Sequence, residues 1–341
     1  MYSDKRNNRQ IAIWLFLVCA MIFCMVIVGG VTRLTESGLS IVQWKPISGI
    51  IPPMNEEAWI QEFETYKQFP EYQKINRGMS LDEFKGIFFW EYSHRLLGRL
   101  IGLVFFMPFV FFLIRRQVSA SLKPKLWLMF FLGGLQGALG WWMVKSGLVD
   151  HPDVSHYRLT AHLGLAILIY LYIFWVATGL VMKKRASTID VRKRSARAIV
   201  VLVWLIFLQI LLGGLVAGLN AGMIYNTWPM MEEQFIPAGL YSMTPWYMNI
   251  FENIMTVQFN HRMLGYLIGL WAIYVWYKTL RNSHGYVRMS GHLMVLMVLG
   301  QGVLGIYTLI YVVPIPLAAA HQGGAVVALS AALLLLRQAK T

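Results

Sequence analysis

The sequence predicts an all-α integral membrane protein of eight transmembrane helices, arranged as two pseudo-symmetric four-helix bundles in a parallel repeat. Three observations lead there: long apolar runs, loops whose charge alternates in sign along the chain, and an internal repeat. Of 341 residues 57% are hydrophobic and only 13% charged, with mean hydropathy +0.54, which excludes a soluble enzyme. The apolar runs lie near 11–30, 94–114, 126–144, 159–181, 197–218, 261–280, 290–311 and 316–336. Each is roughly 18–22 residues, long enough to cross ~30 Å of hydrocarbon as a helix.

Span 1 (11–30) is too long for a signal peptide, lacks a clear cleavage site and is followed by further spans, so it is expected to be retained. Too little chain precedes it for a transit peptide, which suits a bacterial chain or one already processed. Cys19 and Cys24 fall on different faces of this span and read as buried apolar thiols; the outer loops hold no cysteine. The first outer loop (31–93) carries Trp44, Pro46, Pro52, Pro53 and Trp59, and its stretch NEEAWIQEFETYKQF predicts a short amphipathic helix on the outer surface. Arg115, Arg116, Lys123 and Lys125 separate spans 2 and 3. Lys183, Lys184, Arg185, Arg192, Lys193, Arg194 and Arg197 separate spans 4 and 5. Lys278, Arg281 and Arg288 follow span 6; Arg337 and Lys340 follow span 8; Lys5, Arg6 and Arg9 precede span 1. The other loops hold most of the acids, including Glu56, Glu57, Glu62, Glu64, Glu71, Glu232, Glu233 and Glu252. That alternation is the positive-inside pattern with both termini cytoplasmic. Topology therefore accounts for the net charge of +14, with no nucleic-acid partner implied. Docking of an acidic electron carrier on the loop between spans 4 and 5 is the alternative use of its charge.

The repeat is parallel, because each unit has an even number of spans. GGVTRLTESGLSIVQWKP resembles GGLVAGLNAGMIYNTWPM, EYSHRLLGRLIGL resembles QFNHRMLGYLIGL, QGALG matches QGVLG, and LTAHLGLA matches AAAHQGGA. Gly30 to Gly214 is 184 positions and His94 to His261 is 167, so the first outer loop is 17 residues longer than its counterpart. The halves are expected to divide at 1–185 and 186–341.

His94, His162, His261 and His321 occupy equivalent places in spans 2, 4, 6 and 8, within the first turns and near the outer face. An ionisable side chain in hydrocarbon is costly and marks function. Paired histidines across a bundle can hold an iron porphyrin from both sides. Zinc is the rival, but the usual Cys or carboxylate ligands at short spacing are missing. His151, His156, His284 and His292 lie elsewhere and read as solvated or locally bonded. Arg95 and Arg262 each directly follow a histidine, and Arg33 and Arg158 sit at the outer membrane boundary; all four are candidate partners for porphyrin propionates, with interfacial anchoring the alternative. Gly133, Gly134, Gly137 and Gly140 in span 3 allow close backbone approach, or room for a flat macrocycle. Glu91 falls opposite Gln258, each three residues before a histidine and on the same helix face. A carboxylate can take a proton where an amide cannot, so the first half is expected to do chemistry and the second to carry electrons. The alternative for Glu91 is an exposed acid at a loop end.

The runs GGVTRLTESGLSIVQWKPISGIIPP, FFWEYSHRLLGR, YRLTAHLGLA, NTWPMM, QFNHRMLGY and HQGGA together resemble the haem A synthase family, in its alphaproteobacterial and mitochondrial branch. The resemblance implies an eight-helix duplicated bundle of the bacterial inner membrane that converts the C8 methyl of haem O to a formyl group. It implies haem b held by His261 and His321, substrate haem O at His94 and His162, and catalysis by Glu91. Haem O synthase and an unidentified electron donor are the implied partners, and a homo-oligomer is left open. Some members carry a cysteine pair in the first outer loop; this chain has none, so the resemblance carries no thiol-based route. The rival functions are a di-haem b-type electron-transfer cytochrome and a haem carrier without turnover.

Overall fold

The computed structural model of the chain describes residues 2–43, 48–148, 153–182 and 189–340. Trp44, Pro46, His151, Lys183, Lys184 and Arg185 lie outside the described residues. Among the described residues the regular structure is helical: α1 (Tyr2–Leu34), α2 (Glu56–Tyr66), α3 (Pro70–Lys74), α4 (Leu81–Ile114), α5 (Lys123–Lys145), α6 (His156–Val181), α7 (Ile189–Gly218), α8 (Ile254–Asn282), α9 (Gly285–Ile310) and α10 (Ile315–Lys340). Seven of them are long and apolar enough to cross a membrane. Helix α8 has the length, at 29 residues, but Gln258, Asn260, His261 and Arg262 dilute its hydropathy, and it is not among the seven. The chain is a multi-pass, all-α membrane protein. Its long helices expose apolar side chains such as Leu103, Met107, Phe131 and Leu135, as surfaces facing lipid do.

The chain divides into two compact units, one of Ala20–His162 and one of Met1–Cys19 with Leu163–Thr341. In the second of these, α7 packs on α8, α8 on α9, α9 on α10 and α10 on α7, closing a ring of four helices. Buried Ala328, Ala331 and Ala332 of α10 let that helix come close to its neighbours, where dispersion replaces the hydrophobic effect as the source of association.

In the unit Ala20–His162 the predicted amphipathic stretch forms α2, with the Asn55 side chain accepting from the Ala58 amide at its N-terminus. Its buried face carries Phe63 and Tyr66, which pack with Phe84 and Phe88 of α4 and, at the edge, Trp59 and Tyr72. The Phe63 and Phe84 rings stack at 4.9 Å and Trp59 meets Phe88 edge-on at 4.9 Å. This cluster draws α4 outward. A capping box between Ser80 and Glu83 starts the helix there, and His94 sits about four turns into it. His162, His261 and His321 are about two turns into theirs. Expecting all four in the first turns thus fails at His94, because aromatic packing in the inserted loop lengthens its helix.

Glu71 of α3 is buried under the same cluster. It accepts from the Tyr66 hydroxyl at 2.9 Å, and Asn76 Nδ2 donates to that hydroxyl at 2.8 Å. Burial pushes the Glu71 carboxyl up to about 8, assisted by Glu91, Glu36 and Asp153 and opposed by the Tyr66 hydrogen bond. Burial also pushes the Tyr66 hydroxyl well above its ordinary value. A carboxyl raised on folding favours the protonated form. Its contribution is complete below the ordinary carboxylate range and is lost as pH rises through about 8. Raising pH from about 5 to about 9 should therefore loosen α2 and α3, read as faster amide exchange over residues 56–80, and Glu71→Gln should flatten that dependence. Equal protection of the parent segment at both ends of the range would rule this out.

Candidate functional site

Each unit brings one histidine pair together. His94 and His162 lie close enough to interact electrostatically, and so do His261 and His321. Each imidazole occupies a slot left by a glycine on the preceding long helix. A Cβ added at Gly140 would stand 2.8 Å from His162 Cε1, and one at Gly305 2.6 Å from His321 Cε1. At Gly29 it would stand 3.1 Å from His94 Nε2, and at Gly213 3.4 Å from His261 Cε1. One turn before three of those glycines stands a glutamine. Its amide nitrogen donates to the histidine's own backbone carbonyl: Gln136 to His162 at 3.0 Å, Gln209 to His261 at 2.9 Å, Gln301 to His321 at 2.7 Å. The same nitrogens lie against the rings, 3.2 Å from His162 Nδ1, 3.3 Å from His261 Nε2 and 2.9 Å from His321 Nδ1. Sequence reasoning missed these glutamines, although QGALG and QGVLG had already matched between the halves.

Beside each site an arginine holds the loop that precedes its helix. Arg95 donates through Nη2 to Ile41 O at 2.6 Å and through Nη1 to Gln43 O at 3.2 Å. Arg262 donates through Nη2 to Tyr225 O and through Nη1 to Thr227 O at 2.8 Å and Met230 O at 3.2 Å. Ile41 and Gln43 are the positions that the 184-residue offset pairs with Tyr225 and Thr227, so the repeat extends to individual hydrogen bonds. Glu36 and Asn220, paired by the same offset, both take left-handed backbone, with φ of 50° and 51°.

The residue three before each histidine completes the clip. Glu91 is only 3% exposed, so it is not an exposed acid at a loop end. Its Oε1 accepts from Arg95 Nε at 3.0 Å and Nη2 at 2.6 Å, while Oε2 accepts from Ser40 Oγ at 2.8 Å and the Ile41 amide at 2.6 Å. Gln258 Oε1 accepts from Arg262 Nη2 at 3.1 Å, and its Nε2 donates to Ala221 O at 2.8 Å and to Ile224 O. The first half meets its loop with an ion pair and the second with a neutral amide.

The remaining sequence candidates fall elsewhere. Arg33 reaches Asp153 at 3.7 Å, and Arg158 donates to Trp142 O at 2.8 Å with its guanidinium over the Trp142 ring. His292 accepts from Trp276 Nε1 at 3.1 Å, His284 precedes the first turn of α9, and His156 packs on Tyr157. Cys19 is buried but Cys24 is exposed, correcting the expectation of two buried thiols. Of the four glycines in α5, only Gly140 has a close neighbour, the His162 ring; close packing does not account for Gly133, Gly134 and Gly137.

Fold and sites define a multi-pass helical membrane protein with a pair of helix-borne imidazoles in each unit. Residues 12–333 match the COX15-CtaA family, described as cytochrome oxidase assembly protein. The chain is 53% identical to a Heme A synthase of Parvibaculum lavamentivorans over 321 residues, 94% of this chain and 92% of that one. It is 52% identical to a Heme A synthase of Nitrosomonas eutropha, over 98% of this chain and 96% of that one. A Heme A synthase of Nitrosospira multiformis is 51% identical, over 96% and 92%. The chain belongs to this family.

The arginine clip has a direct test. Arg262→Ala removes the donors that hold the carbonyls of Tyr225, Thr227 and Met230, so the loop 219–253 should become protease-sensitive. Arg262→Lys should restore little, since one ammonium cannot reproduce the fork. A lysine variant as protected as the parent would count against the clip.

Proposed function

We propose that each half holds one porphyrin between its two histidines, one as substrate and one as resident cofactor. The chain converts haem O to haem A, an oxidation of the C8 methyl to a formyl group. The reading gives that conversion two successive two-electron steps, by way of a hydroxymethyl group and a geminal diol that loses water. His94 and His162 hold the substrate, and His261 and His321 hold haem b. What carries this reading is the donor set: two imidazoles per unit, each against a glycine of the preceding long helix, where a Cβ would crowd the rings of His94, His162 and His321 and just touch that of His261. Among the described residues no three His, Cys, Asp or Glu side chains gather, which suits porphyrin iron and not zinc. His261 Nδ1 is buried without a hydrogen-bond partner, consistent with a ring waiting for a ligand. Bound haem b would supply redox equivalents that side chains lack.

The chain's own residues position and distinguish the sites. Glycine slots set the imidazole orientation, and the arginine clips fix the loops over each pair. Glu91 is the functional carboxylate of the reacting half, with Gln258 its neutral counterpart in the electron-handling half. Arg95 and Arg262 are held on loop carbonyls, Arg33 on Asp153 and Arg158 on the Trp142 carbonyl, so a propionate at any of the four would compete with those contacts. The halves 1–185 and 186–341 each contribute four spans, with α8 as the eighth, in the bacterial inner membrane. Both termini face the cytoplasm and the sites lie toward the outer face.

Extracting the bound pigments and weighing them tests the reading. Haem b together with haem O, its hydroxymethyl form or haem A is expected; haem b alone in both halves would instead identify an electron-transfer cytochrome. In Glu91→Gln the amide oxygen can keep Arg95, as Gln258 does Arg262, and the amide nitrogen can meet the Ser40 hydroxyl. Only the Ile41 amide loses its partner. That variant should retain haem in the second half while turnover disappears and unoxidised haem O accumulates; full activity would sink the role of Glu91. The slots are separable too. Gly305→Ala, at 2.6 Å from its ring, should cost the second half its haem, whereas Gly213→Ala, at 3.4 Å, should be tolerated. Equal haem content in the two would refute the slot argument.

A further inference from the structure

Four histidines share the glycine slot, but only three share the glutamine. The offset of 184 places Met25 where the second half has Gln209, and the geometry agrees. A Cβ added at Gly98 would meet Met25 Cε at 3.5 Å, and one added at Gly265, the counterpart of Gly98, would meet Gln209 Nε2 at 3.5 Å. Methionine thus fills the space of the amide and offers neither donor nor carbonyl oxygen. His162, His261 and His321 are each tied at the backbone carbonyl and approached at the ring by one amide. Among the described residues His94 has no hydrogen-bond partner. The Oε1 atoms of Gln136, Gln209 and Gln301 are all buried and unpartnered, and the atom that each amide sets against its ring is the Nε2 that also holds the histidine carbonyl.

A ligating imidazole is held by its iron bond and by whatever its second nitrogen and its backbone contact. Outer partners of metal-bound histidines fix ring orientation, and losing one typically weakens the metal bond about 10- to 100-fold. Of the pair in the reacting half, His162 has such a partner and His94 does not. We propose that His94 is the exchangeable axial ligand of the substrate porphyrin, and that methionine at position 25 in place of glutamine makes it so. His162 is the permanent anchor, and departure of the His94 ring opens one position on the substrate iron beside Glu91. Met25 is a positioning residue by omission: it packs without pinning. This rests on the reading of His94 and His162 as the substrate pair.

The test uses the purified full-length protein loaded with haem O, chemically reduced, with carbon monoxide as the probe. Porphyrin content is measured first. A first half that takes up no haem O overturns the reading beneath the proposal, and the proposal with it. With haem O in place, the parent should bind carbon monoxide at the first-half porphyrin only. Met25→Gln should weaken that binding about 10- to 100-fold at unchanged porphyrin content. Met25→Leu, equally unable to bond the ring, should match the parent. Conversely, Gln301→Met should make the second-half haem reactive to carbon monoxide. His94→Ala should keep substrate porphyrin on His162, whereas His162→Ala should lose it. Three results would overturn the proposal: carbon monoxide affinity indifferent to glutamine at position 25, Met25→Leu behaving like Met25→Gln, or equal porphyrin loss from the two histidine variants.

Discussion

A guanidinium fixed on loop carbonyls, buried at Arg262 and half-buried at Arg95, is the contact on which the loop ends of these sites depend. Its donors are costly to leave unpaired, and a single acid or amide side chain cannot meet them all. The loop therefore has to come to the arginine. Because Arg95 and Arg262 directly follow His94 and His261, the path of each loop is tied to the helix turn that carries a site imidazole. A residue three before the histidine closes the same turn from the other side. Site and cover are then one local structure, and displacement of either is felt by the other.

Within that shared frame the halves answer one packing problem with opposite polarity. Glu91 needs donors from the loop and finds the Ser40 hydroxyl and the Ile41 amide; Gln258 needs acceptors for its nitrogen and finds the carbonyls of Ala221 and Ile224. The loops have thus diverged to suit a charge in one half and a dipole in the other. Both clips are charge-assisted through the guanidinium, but only in the first is the side-chain acceptor also ionised. The first clip also stores a carboxylate next to a site histidine, which a merely structural clip would not need, since the second half shows that an amide suffices.

Much of this was legible before any coordinates. Hydropathy located seven of the eight expected spans, and the offsets of 184 and 167 paired positions that turn out to make the same hydrogen bonds. What escaped depends on contacts between elements far apart in sequence. No periodicity announces that Phe84 and Phe88 will be gathered by α2 and carry the start of α4 outward to Leu81. Glu71 read as one more outer-loop acid, and only its burial beside Tyr66 sets it apart. Gln136 and Gln301 were visible as repeat markers, but their use depends on which neighbouring helix face they meet. The hydropathy of α8 falls short for the reason that makes it interesting, since its polar residues are the ones that hold the site and its loop.

Duplication explains why such differences can accumulate without loss of the fold. The glycine contacts of the imidazoles are common to both halves, so they constrain both copies alike. Departures are tolerated where they do not touch those contacts, and three fall together in the first half: a longer cover, a carboxylate for an amide, and a methionine for a glutamine. Met25 is close in volume to glutamine and reaches the same place against the facing helix, so the exchange is close to volume-conserving. Its effect is confined to hydrogen bonding at one imidazole. A site that must hold a permanent cofactor gains from pinning both of its rings, while a site that must admit, alter and release a porphyrin gains from pinning one. The loss of one amide from four equivalent places is the smallest change that would turn the first kind of site into the second.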